Sequence, residues 1–170
     1  MDRELQQISA QFHASWSNLT FVNIQPNHPQ QRLLFFIAGT PTPEMVAAME
    51  KAIHDLTQSR SWVIGPPEFV DETLPPQETG EQPVRTVGGF LSLYSALPPN
   101  QLPFETDKAH LAEVSGLMES LRGFSSATRC SIEFELDDVF VGVIESGDMD
   151  ETLREGFIGE WRRTLEARNK

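Results

Sequence analysis

From Cys130 to Leu136 apolar and polar residues alternate with a period of two, a pattern that fits a strand with one buried face. Cys130, Ile132, Phe134 and Leu136 alternate with Ser131, Glu133 and Glu135. Asp137-Asp138 can turn the chain, and Val139, Val141 and Val143 resume the alternation. A two-residue loop opposes Leu136 to Val139 and Phe134 to Val141, so both apolar rows share one face. Glu133 and Glu135 then share the other face with Phe140, Gly142 and Ile144. Asp-Asp is a weaker turn pair than Asn-Gly, so a longer loop stays open.

The chain leaves this hairpin at Glu145 to Gly147. Asp148 followed by Glu151 has the logic of a capping box, which predicts a final helix with Leu153, Phe157, Trp161 and Leu165 as its apolar stripe. Gly156 and Gly159 each cost about 1 kcal/mol relative to Ala inside a helix, so either a close contact offsets them or the helix is broken.

Earlier segments supply the rest of the fold. Leu5, Ile8, Phe12, Trp16 and Leu19 draw one stripe along a helix, and a short strand over 19–24 ends at Pro26-Asn27-His28-Pro29. The run Leu33 to Ala38 predicts a central strand covered on both faces. Thr42-Pro43-Glu44 starts a helix that runs to about Gln58 with Met45, Met49, Ala52, Ile53 and Leu56 inward, and Trp62 to Ile64 reads as a short strand.

Gly65 to Pro83 holds five prolines, five acids and no basic residue, and is expected to be an irregular excursion. Gly88 to Leu97 is open between strand and short helix. Thr106 or Asp107 caps a helix carrying Leu111, Val114, Met118 and Leu121, with Gly123 as its stop. The expected architecture is a single α+β domain over residues 1–170: a mixed or antiparallel sheet with packed helices, closed by a C-terminal β-hairpin and a helix.

Several kinds of chemistry are disfavoured by residue type and spacing. The single cysteine, Cys130, precludes an internal disulfide, and it sits in a strand pattern as a core thiol. His13, His28, His54 and His110 show no metal-ligand spacing, and no nucleophile elbow or phosphate loop is present. Gly88-Gly89 is too short for a phosphate cradle. Asp148, Asp150 and Glu151 are explained by helix capping and dipole complementarity, so neither metal nor cofactor is assigned. No run approaches the about 18 apolar residues of a membrane span, and the first residues lack a signal-peptide pattern, so the expectation is a cytoplasmic protein without membrane contact.

Charge gives the most specific lead. Ten acids and one base, Arg154, lie between Cys130 and Glu160, so this stretch holds nine of the twelve net negative charges. A sequence pI near 4.7 argues against direct nucleic-acid binding, which needs clustered Lys and Arg. Charge runs are usually solvated faces. Here acids alternate with Phe140 and Ile144, and apolar groups ringed by charge are what protein interfaces present, unless Phe140 lies beneath a second layer. The candidate partner-binding residues are Glu133, Glu135, Asp137, Asp138, Phe140, Glu145, Asp148, Asp150 and Glu151.

The run Val141-Gly142-Val143-Ile144-Glu145 with Gly147, then Leu153, Glu155-Gly156 and Gly159-Glu160-Trp161, resembles a pattern among small α+β immunity proteins of bacterial polymorphic and type VI secreted toxins. The resemblance covers about the last 40 residues. It implies a non-enzymatic binding protein that occludes a cognate toxin with a basic surface, such as a nuclease. The alternative is a small enzyme with a carboxylate or metal site around Glu133, Glu135 and Glu145, which requires a concave pocket there.

Overall fold

The computed structural model describes residues 27–97 and 101–170. The expected helix over 5–19 and strand over 19–24 lie outside these residues. Six strands form one antiparallel sheet in the order β2-β3-β1-β4-β5-β6: β1 (Gln30–Ile37), β2 (Glu68–Leu74), β3 (Val84–Tyr94), β4 (Ser131–Leu136), β5 (Val139–Glu145) and β6 (Asp148–Met149). The helices are α1 (Pro43–Ser59), α2 (Phe104–Thr128) and α3 (Glu160–Arg168), the last preceded by a π-helical stretch, Thr152–Gly159. The single-domain α+β class with C-terminal strands followed by a helix is what the sequence predicts.

Alternation in β1 sends Leu33, Phe35 and Ile37 into the core. They meet Leu91, Ile132, Phe134 and Ile144 from neighbouring strands, Met49 and Ile53 from α1, and Val114, Leu117, Met118 and Leu121 from α2. Gly89 makes room for the Phe35 ring, whose Cζ would stand 2.8 Å from a Cβ at that position. The Gly88-Gly89 pair therefore serves close approach inside β3. Thr42 caps α1 as expected, its hydroxyl accepting the Met45 N–H at 3.2 Å.

Four expectations about element boundaries are corrected. Trp62 to Ile64 is not a strand, because the Val63 N–H donates to the buried Glu113 carboxylate and has no ladder partner. The segment over 65–83 is not wholly irregular: between its proline pairs lies β2, an edge strand bonded on one side to β3. Gly123 does not stop α2, since Phe124 and Ser125 continue the buried face, and the helix ends at Arg129 in the left-handed region at φ 56°. Thr106 and Asp107 do not cap α2 but lie buried in its first turn.

Asp107 has another role. Its carboxylate accepts the Trp161 indole N–H at 2.7 Å and an Arg168 N–H at 2.9 Å, while Arg168 also donates to the Leu102 carbonyl. This fastens α3 to the start of α2. Asp107→Ala strands the indole donor and removes one of the two guanidinium hydrogen bonds, and is expected to destabilise by about 2–3 kcal/mol. Faster amide exchange over 160–168 than in β1 is the measurement that checks it.

The final hairpin explains the largest departure from expectation. Asp137 and Asp138 form the two-residue turn, both in the left-handed region at φ 47° and 66°, and Leu136 opposes Val139. Beyond that the register shifts: Glu135 opposes Phe140, but Phe134 opposes Gly142 instead of Val141. Val141 is the extra residue of a β-bulge, which exchanges the faces of everything after it. Ile144, expected on the acidic face, is fully buried opposite Ile132, and Val143 takes its place beside Glu133.

The expected capping box is corrected as well. Asp148 belongs to β6, and Asp150 does the capping, with Oδ1 accepting the Leu153 N–H at 2.8 Å and the Val143 N–H at 3.2 Å. The helix that follows is widened rather than broken: its two glycines fall in the π-helical turns, where Gly159 lies close to the Arg154 carbonyl.

Candidate protein-binding face

Strand pairing fixes which side chains share the sheet face opposite the core. One cross-strand row reads Glu68, Phe90, Leu34, Glu135, Phe140, and the next reads Val70, Gly88, Phe36, Glu133, Val143. Leu34, Phe36, Val70, Phe90 and Val143 are half-buried and stand apart from the hydrophobic core, and Phe140 is 53% exposed. The helix-side core takes its residues from α1, α2 and the C-terminal helical run, so the described helices leave this outer face uncovered.

Acids flank the apolar strip on both sides. Glu68 and Glu72 stand on β2, opposite Phe90 and Thr86, and Glu133 and Glu135 stand on β4. Arg32 is the cation among these outer-face positions, its guanidinium 4.7 Å from the centroid of the Phe90 ring. Asp71 points the other way, in register with buried Val87. Two hydrogen bonds of 2.9 Å from Arg85 hold its carboxyl below the usual carboxylate range, so its charge is already answered.

The nine residues singled out by sequence divide into groups. Glu133, Glu135 and Phe140 come together on the outer face. Asp137 and Asp138 form the exposed tip next to it, although one Asp137 oxygen accepts the Arg32 N–H at 2.9 Å and so extends the strand pairing. Glu145 is exposed at the opposite end of β5, beside Asp148 across the β5–β6 turn. Glu151 is exposed where the C-terminal helical run begins, and Asp150 has an oxygen engaged in backbone bonds.

The sequence reading missed Glu68, Glu72, Leu34, Phe36 and Phe90. The signal was present in the alternation Glu68, Val70, Glu72 within the proline-flanked segment. The doubly covered reading of Leu33 to Ala38 obscured the half-buried character of Leu34 and Phe36.

Two other features bear on chemistry. A cleft of about 510 Å³ lies between α2, β6, the π-helical turns and α3, lined among others by Arg122, Arg154, Arg162, Arg163, Glu119 and Glu155. Glu133, Glu135 and Glu145 do not line it, so this cleft is not the pocket that a carboxylate enzyme centred on them requires. Among the described residues, no group of three His, Cys, Asp or Glu side chains is placed to hold a metal ion.

The second feature is a buried histidine and carboxylate at i and i+3 on α2. Glu113 accepts from His110 Nδ1 at 3.0 Å and from the Val63 N–H, while the Tyr94 N–H donates to His110 Nε2 at 3.1 Å. A backbone N–H can only donate, so Nε2 accepts and the neutral ring carries its proton on Nδ1. The nitrogen a general base would use is thereby occupied, and both side chains are shut away from solvent. The pair is a structural clasp joining α2 to β3 and to the segment after α1.

Compared with protein-family models, curated proteins and solved structures, the chain matches none. No helix among the described residues is long and apolar enough to cross a membrane.

Proposed function

We propose that this chain is a non-enzymatic binding protein of the cytoplasm that neutralises a cognate basic toxin, such as a nuclease, by covering it with the acidic sheet face that the described helices leave uncovered. The observation that carries the reading is the composition of that face: half-buried Leu34, Phe36, Phe90 and Val143 with exposed Phe140, set among Glu68, Glu72, Glu133 and Glu135. An apolar surface of this kind is stable when a partner removes it from water, and surrounding charge of one sign selects a partner of the other. The net charge of −12 acts at longer range. Complementary fields raise association rates by about 10- to 1,000-fold, which suits an inhibitor that must capture its target before damage accrues.

Tagged full-length chain, incubated with lysate of its native host and washed at low and then high salt, supplies the partner for the test. The expected result is one basic protein retained at high salt that arrests growth when expressed alone and is harmless when co-expressed with this chain. Glu133→Lys with Glu135→Lys is predicted to slow association with that protein by about tenfold or more at low salt, with the melting temperature unchanged. Stopped-flow mixing over a salt series reads the rate. An association rate that ignores both the substitutions and the salt would remove the steering argument.

A further inference from the structure

Building on the reading of the outer face as the toxin-binding surface, we infer that the partner docks a basic amphipathic α-helix along the apolar strip, between two acidic rails. The strip is formed by Leu34 and Phe36 on β1 with Phe90 on β3, and Gly88, opposite Phe36, has no side chain to raise there. A Cβ at Gly88 would collide with the Phe35 carbonyl, so the low point is fixed by the backbone. On one side stands the β2 rail, Glu68 and Glu72; on the other stands the β4 rail, Glu133 and Glu135.

The dimensions select the occupant. β2 and β4 are three strand spacings apart, about 14 Å, and a helix with its side chains is about 10–12 Å across. A helix laid along the strands fills the strip and brings its two flanks to the two rails. Glu133 and Glu135 are about 6.7 Å apart along β4, close to the about 6 Å between i and i+4 on a helix. Glu68 and Glu72 are about 13 Å apart along β2, close to the about 12 Å between i and i+8. Basic side chains on both flanks of an apolar stripe therefore meet both rails at once, the helix-in-groove mode of recognition.

An added β-strand would instead bond to a sheet edge and leave the face open. The chain's own residues 5–19 have helical apolar spacing, but Arg3 is the one Lys or Arg in the first 26 residues, against Asp2 and Glu4, so that segment lacks the cations that two rails require.

The test uses the full chain and two synthetic 18-residue peptides of identical Leu, Lys and Arg composition. In one the leucines follow i, i+3, i+4, i+7 spacing with basic residues on both flanks; in the other they alternate with the basic residues. Binding is read by fluorescence anisotropy and peptide helicity by circular dichroism. The expected result is at least about tenfold tighter binding of the helical pattern, with helicity gained on binding. Glu68→Gln/Glu72→Gln and Glu133→Gln/Glu135→Gln are each expected to weaken it by about tenfold, at unchanged melting temperature.

Equal binding of the two peptides, binding of neither, or dependence on the β4 rail alone would overturn the helix inference. The acidic-face reading would still stand in each of those cases if capture of the toxin depends on Glu133 and Glu135. Independence from both rails in peptide and toxin alike would end both.

Discussion

Gly142→Ala is expected to destabilise the protein by about 3 kcal/mol or more, combining backbone strain with overpacking. Gly142 has φ +144°, a conformation L side chains rarely adopt, and a Cβ there would collide with the Leu153 side chain and come within 2.7 Å of both the Asp150 carboxylate and the Leu153 nitrogen. The position lies directly after the bulge residue Val141, and relief of the clash would require Leu153 and the Asp150 cap to move. Those groups hold the register that buries Ile144. Gly123→Ala is the matched control. It sits in α2 with nothing within 4 Å of the added atom, and is expected to be neutral or to stabilise by up to about 1 kcal/mol. Urea denaturation of the two variants beside the parent checks both signs, and parental stability for Gly142→Ala would contradict the bulge.

Glu113→Ala is expected to cost about 3–5 kcal/mol, a large share of the about 5–15 kcal/mol typical of a whole domain. The substitution removes the acceptor for two buried donors, the Val63 N–H and His110 Nδ1–H, and leaves a cavity at a residue 2% exposed. Glu113→Gln should fall between parent and Ala. Its carbonyl oxygen can accept one of the two donors, and its amide group meets the other donor head-on. Equal stability of Glu113→Ala and the parent would contradict the clasp, and equal loss for Gln and Ala would mean that the single acceptor retained by Gln contributes nothing.

Periodicity revealed the architecture where burial was one-sided. The stripe of α1, the alternation of β4 and the turn at Asp137-Asp138 follow from residues a few positions apart, and the structure keeps them. What was not legible depended on distant residues. The bulge at Val141 rests on Asp150 and Leu153 filling the space beside Gly142, and no local pattern announces such a contact. Trp62 to Ile64 has strand-like residues, yet its Val63 N–H is claimed by a carboxylate 50 positions away. The candidate face was half legible: its β4 rail shows in the acidic run, whereas its β2 rail lies in a proline-flanked edge strand whose pairing comes from β3.

Neutralisation rests, in this proposal, on the acidic sheet face. The most direct measurement is growth of cells expressing the captured basic protein together with either the parent chain or Glu133→Lys/Glu135→Lys, at matched levels of folded protein. Growth with the parent and arrest with the charge-reversed chain are expected. Equal protection by both would contradict the proposal and move the search for the binding surface to another part of the molecule.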